Sequence, residues 1–209
     1  MKTKSKKILL VSGCSWSDFE FHSIFHPSMD CSWPKWPELL AKKLDMICVN
    51  LSFCGSGQEY IFSSLIEYLS DNKNNIGLII SAWSRAPRRD YQLDEKWRNV
   101  ITDVKGDEKY FTSRSLRYYY IFQIFCERFN LPYKQVQMIS DFDKRTLLNY
   151  NLSKQVNEKH FIGWPIESKL GGFSIWDKLD QDKHFISKQD RHPNAEGQKL
   201  IAEIIYENI

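Results

Sequence analysis

Ile8-Leu9-Leu10-Val11-Ser12-Gly13-Cys14-Ser15-Trp16-Ser17-Asp18 is the stretch on which the reading of this chain turns. Four apolar residues run without a break into Gly13-Cys14-Ser15. A short apolar run closed by small residues has the length and composition of a strand buried on both faces, as in a parallel sheet. Open α/β folds gather their ligands past the carboxyl ends of such strands. Ser15 would stand just beyond that edge. Taken alone, the stretch leaves two readings open: a reactive hydroxyl, or a turn serine that satisfies only neighbouring backbone groups.

The same pattern recurs along the chain. Ile47-Cys48-Val49-Asn50-Leu51 reads as a second buried strand and ends in the small-residue loop Ser52-Phe53-Cys54-Gly55-Ser56-Gly57. Residues 76–83 make the clearest strand and 84–90 the loop after it; 133–139 make a fourth strand. Helices fall between. Pro34 and Pro37 suit a helix start, so a helix is predicted over 37–44, with Trp36, Leu39, Leu40 and Leu44 spaced along one face. Others are predicted over 59–69, 115–129 and 198–206, and a weakly patterned one over 143–159. Residues 91–107 are too mixed to assign, and 161–185, with Gly163, Pro165, Gly171 and Gly172, read as largely loop. Strands alternating with helices give a parallel sheet covered on both faces. Right-handed crossovers then bring the strand-end loops carrying Ser15, Gly55 and Ser84 to one edge.

Composition narrows the function classes. The 209 residues are 42% hydrophobic and 26% charged, enough for one core without covalent staples. A net charge of +3 is too small to argue for nucleic acid. Seven Trp and ten Tyr suit a surface that stacks on sugar rings as well as a core. Five cysteines with no C-x-x-C pair read as reduced thiols. His22 and His26 lack further ligands, so no metal site is expected. Lys2, Lys4, Lys6 and Lys7 before Leu10-Val11-Ser12-Gly13-Cys14 imitate a lipoprotein cleavage box, but an export signal needs an apolar run of roughly 7–15 residues, longer than the one here. No stretch approaches the ~20 apolar residues of a membrane span. A protein of the cytoplasm, or of a virion, is expected.

Three blocks together resemble the SGNH (GDSL-type) hydrolases: Gly13-Cys14-Ser15, Asn50 through Gly55, and Asp190-Arg191-His192-Pro193-Asn194 ahead of Gly197 and the last helix. With the Trp-Pro lead-in to the first helix and Trp83 and Arg85 after the third strand, the chain looks most like a divergent branch of that superfamily common in phages and environmental bacteria. The resemblance implies one domain over 1–209 with a flavodoxin-like three-layer α/β/α fold, a doubly wound parallel sheet of about five strands. It also implies ester hydrolysis: Ser15 as nucleophile, His192 as general base, Asp190 orienting the imidazole, and an oxyanion hole from Ser15 and Gly55 with Ser84 or Arg85 as a further donor. A serine hydroxyl needs a base to take its proton, and the base needs an orienting acceptor. Trp83 and Arg85 are the expected substrate contacts. No cofactor is implied, and the expected partner is a small-molecule or glycan ester, with no nucleic acid and no membrane.

The chain departs from the family pattern at three points. Cys14 stands where Asp is usual, Asp190 lies two residues before the histidine instead of three, and Ser81-Ala82-Trp83-Ser84-Arg85 lacks the oxyanion Asn. Each candidate also has a plainer role: Asp190 as a helix N-terminal carboxylate, Gly55 as a turn glycine, Arg85, Arg88 and Arg89 as a solvated loop, and Cys14 as a packed small residue. A catalytically impaired structural or glycan-binding protein on the same scaffold is therefore the alternative. A phosphate binder using the arginines ranks last, because no Gly-rich phosphate loop is present.

Overall fold

The computed structural model describes residues 5–100, 105–139, 147 and 150–209. Its centre is a five-stranded sheet of β1 (Ile8–Ser12), β2 (Ile47–Asn50), β3 (Ile76–Trp83), β6 (Tyr133–Gln137) and β7 (Phe161–Ile162), in the order β2-β1-β3-β6-β7. Every pairing within it is parallel. The helices are α1 (Trp36–Lys43), α2 (Gln58–Asp71), α3 (Glu108–Arg128) and α4 (Ala195–Tyr206). A separate antiparallel hairpin, β4 (Arg89–Leu93) and β5 (Lys96–Val100), lies between β3 and α3.

Strand periodicity divides the core in two. Leu10 and Ile79 point to one face, where Ile61 and Leu65 of α2 and Leu116, Tyr119 and Phe122 of α3 cover them. Leu9, Val11 and Ile80 point to the other, beneath Trp36 and Leu40 of α1 and Ile201 and Ile205 of α4. The result is the expected three-layer α/β/α sandwich, and both faces of β1 are fully buried.

Four stretches differ from the sequence reading. The unassigned 91–107 and the end of the expected loop 84–90 hold the hairpin; residues 101–104 lie outside the described residues. Its turn uses Asp94 and Glu95 at φ +50° and +59°, a two-residue geometry normally signalled by Asn-Gly, so the sequence gives no warning of it. The expected helix over 143–159 lies partly outside the described residues, and its described end forms two 3-10 turns, Asn151–Gln155 and Glu158–His160. The expected loop 161–185 opens with β7, which pairs through Phe161 and Ile162 with Gln135 and Val136. α3 begins seven residues earlier than expected, at Glu108, where the Asp107 side chain accepts from Tyr110 N at 2.7 Å and caps it.

Candidate active site

β1 delivers Ser15 to the carboxyl edge of the sheet through a tight turn closed by Ser17 N donating to Cys14 O at 2.8 Å. Gly13 is required there: a Cβ would come within 2.6 Å of Ser17 Oγ and 3.0 Å of the Ala82 Cβ on β3. Gln198 of α4 locks the turn, donating to Trp16 O at 3.1 Å and accepting from Trp36 N at 2.8 Å. Cys14 is fully buried, which fits its reading as a packed small residue.

His192 arrives from the opposite end of the chain. Asn194 caps α4 by accepting from Gly197 N at 2.9 Å and donates to Phe185 O at 3.0 Å. Pro193 bridges Phe185, and Ile186 N donates to His192 O at 3.0 Å. These bonds hold the imidazole with Nε2 2.9 Å from Ser15 Oγ and Nδ1 2.5 Å from Asp190 Oδ1. The ring of Phe21 lies 4.2 Å from that of His192, centroid to centroid. Asp182, the other nearby carboxylate in sequence, is exposed and faces Lys188.

Asp190 is 1% exposed. Burial works against its charge, but hydrogen bonds from Ser23 Oγ and from His192 outweigh it and hold the carboxyl below its ordinary range. Burial lowers the pKa of His192; the neighbouring carboxylate pulls it back up and the Arg88 charge pushes it down again, leaving it below its ordinary range. The imidazole is therefore neutral at pH 7, as a proton acceptor must be.

The loop after β2 lies beside the serine. Gly55 adopts φ +82°, and the Asn99 carboxamide on β5 occupies the space a Cβ would take. Ser56 Oγ and Phe53 N both bond Gly13 O, and Cys54 N donates to Asp18 Oδ2 at 2.9 Å. Desolvation holds the Cys54 thiol above its ordinary range. The backbone N–H groups of Ser15 and Gly55 have no partner among the described residues. From β4, Asp90 reaches across to cap α2, accepting from Gly57 N at 2.7 Å and Tyr60 N at 3.0 Å; Gly57 itself has no side chain to do so.

Two expected site residues are elsewhere. Trp83 is fully buried against Tyr119 and Phe122 and donates to Gln135 Oε1, so it offers no surface to a substrate. It ends β3 with its side chain on the α3 face, and the apolar α3 surface claims it. Ser84 is also fully buried, and its single hydroxyl proton is donated to Ser56 O at 2.7 Å, which removes it as an oxyanion donor. Arg85 does line the cleft beside His192, a cavity of about 520 Å³ shared with Trp16, Trp176, Arg88 and Arg191. Sequence reasoning missed Phe21, Ser23, Trp176 and Arg191 as site neighbours. Arg191 sits inside the quoted third block, but the others lie in loops whose sequence carries no periodic signal.

Among the described residues, no group of three His, Cys, Asp or Glu is arranged to hold a metal ion, and no helix is long and apolar enough to cross a membrane.

No family model matches the sequence, and no curated protein matches it. Solved structures do match in three dimensions. A psychrotrophic esterase from Pseudoalteromonas sp., inhibited by monoethylphosphonate, aligns over 97% of this chain and 96% of its own, with TM-score 0.54 and 13% identity. The chain has the fold of the SGNH (GDSL-type) hydrolases. A structure assigned to the G-D-S-L lipolytic family from Desulfitobacterium hafniense aligns over 97% and 99%, with TM-score 0.55 and 12% identity. A catalytic mutant of an acetylxylan esterase from Geobacillus stearothermophilus aligns over 100% and 96%, with TM-score 0.51 and 12% identity. At such identities the SGNH likeness is one of fold alone.

Proposed function

We propose that this chain is a serine ester hydrolase acting on a small acyl ester, with a carbohydrate O-acetyl group as the substrate class. The observation that carries the reading is the continuous path Ser15 Oγ–His192 Nε2 at 2.9 Å and His192 Nδ1–Asp190 Oδ1 at 2.5 Å. It joins residues 177 positions apart in sequence, and the imidazole at its centre is neutral at pH 7.

In this reading Ser15 Oγ attacks the ester carbonyl carbon while His192 Nε2 takes its proton. Asp190 steadies the imidazolium that forms. The negative charge moves to the carbonyl oxygen, where the unpartnered N–H groups of Ser15 and Gly55 donate to it. Collapse of the tetrahedral intermediate expels the alcohol, which takes the proton from His192, and leaves Ser15 acylated. Water then attacks the acyl carbon, giving its proton to His192, and the acid departs as Ser15 is regenerated.

The two donors are one fewer than the family pattern supplies, since Ser84 is committed to Ser56 O. An activated ester, with its good leaving group, depends less on a full oxyanion hole. Support for a sugar acetate comes from the acetylxylan esterase among the structural neighbours and from the half-buried indole ring of Trp176 lining the cleft. The test is hydrolysis of 4-nitrophenyl acetate by the wild type and Ser15→Ala, with fluorophosphonate labelling of Ser15. Turnover abolished by Ser15→Ala is the expected result. No turnover together with no labelling refutes the hydrolase reading.

A further inference from the structure

The cleft beside the serine has an uneven charge. Arg85, Arg88 and Arg191 line it together with His192. Among the described residues, the one carboxylate in its lining is Asp190, which is 1% exposed and spent on Ser23, on the imidazole and on the His192 N–H. Gln189 beside it is neutral. Among the described residues, the cleft therefore presents guanidinium groups and no solvent-facing acid. Low-dielectric walls concentrate such a field.

The arginines are also held in place. Arg88 Nη1 donates to Ser56 O at 3.2 Å, next to the Gly55 loop, and its charge is felt at His192 and at Cys54. Arg191 lies over the ring of Trp176 at 5.6 Å, and Trp176 in turn stacks on Trp16 at 5.7 Å. Arg191 also borders a smaller hollow holding Asp182 and Lys188, whose opposite charges offset one another. Arg88 donates to a neutral carbonyl within the field of the buried Asp90, Arg191 rests on a ring, and among the described residues neither forms an ion pair. Guanidinium forks match carboxylates bidentately, and among the described residues no lysine lines the cleft.

We infer that this cleft selects esters bearing a carboxylate close to the scissile bond, the chemistry of an acylated acidic sugar or of a half-ester of a dicarboxylic acid. The inference rests on the hydrolase reading above and names the class of ester within it. The negative charge sits either on the alcohol or on the acyl side, and matched substrates separate the two. 4-Acetoxybenzoate against its neutral methyl ester tests a charged alcohol. The 4-nitrophenyl half-ester of adipic acid against its methyl-capped form tests a charged acyl group.

The expected result is that, in one of the two pairs, the charged member has a kcat/KM at least about tenfold above its neutral match, equal to about 1.4 kcal/mol. Arg85→Gln and Arg191→Gln, both at exposed positions, should each lower that ratio severalfold. Salt at about 1 M, where the Debye length falls to about 3 Å, should lower it as well. Charged-to-neutral ratios near or below one in both pairs would overturn the inference while leaving the esterase reading standing. So would a preference that neither arginine variant reduces. No hydrolysis of any of the four esters, with no fluorophosphonate labelling of Ser15, would overturn both.

Discussion

Replacing Asp190 by asparagine tests the proposed relay at the point where the sequence departs from its family. Asp190 Oδ1 lies 2.5 Å from His192 Nδ1, and the carboxylate is almost wholly removed from water. When Ser15 gives up its proton, the imidazole becomes a cation beside that anion. Opposite charges about 4 Å apart at an effective dielectric near 20 attract by about 4 kcal/mol. At about 1.4 kcal/mol per factor of ten, that corresponds to roughly a thousandfold in rate. Asparagine keeps the size of the side chain and an acceptor for Ser23 or for the imidazole, so the fold should hold. The assay is kcat/KM for 4-nitrophenyl acetate alongside the melting temperature. A loss near a thousandfold with the melting temperature within a few degrees is expected. A loss smaller than tenfold in a folded variant would refute the assignment, and the imidazole would then be oriented by something other than Asp190.

Ser23→Ala removes one hydrogen bond from the Asp190 carboxylate and should cost about tenfold in kcat/KM, the worth of one bond to a charged group; an unchanged rate would mean that Asp190 needs no second anchor. Activity should rise along an acid limb whose midpoint lies below that of an ordinary histidine, because the imidazole must lose its proton to act, and the pKa of His192 is depressed by burial and by Arg88. Arg88→Gln removes a positive charge that disfavours the imidazolium, so a pH–rate profile should show that limb moving to higher pH. Asp90→Ala leaves the Gly57 and Tyr60 N–H groups at the start of α2 without their carboxylate and should cost about 1–3 kcal/mol in urea unfolding.

The fold was legible because its signals are local. Ile8 through Val11 and Ile76 through Trp83 are apolar on both faces, a pattern that only a strand between two helix layers satisfies. The relay was legible for a related reason. Its serine and histidine sit in short blocks whose Gly13, Asn194 and Gly197 have backbone duties of their own. A Cβ on Gly197 would come within 2.2 Å of His184 O, so the His-Pro-Asn turn and its glycine form one unit.

What stayed hidden depends on contacts between distant segments. The β4–β5 hairpin turns on Asp94 and Glu95, which carry no turn signature, yet its Asp90 caps α2 and its Asn99 fills the space over Gly55. Ser23 lies 167 residues from the Asp190 it supports. Trp83 and Arg85 are two residues apart in sequence, but one ends in the core and the other in the cleft.

By itself, then, the sequence determined four strands of the central sheet and the four long helices, the two-sided burial of the sheet and the blocks bearing Ser15, Gly55 and His192, because periodicity and backbone sterics act over a few residues. Only the tertiary structure decided that Asp190 reaches the imidazole, that Ser84 is spent on Ser56 O, and that three arginines line one cleft. Those outcomes depend on where loops from separate parts of the chain are held relative to one another, and no local pattern encodes that distance.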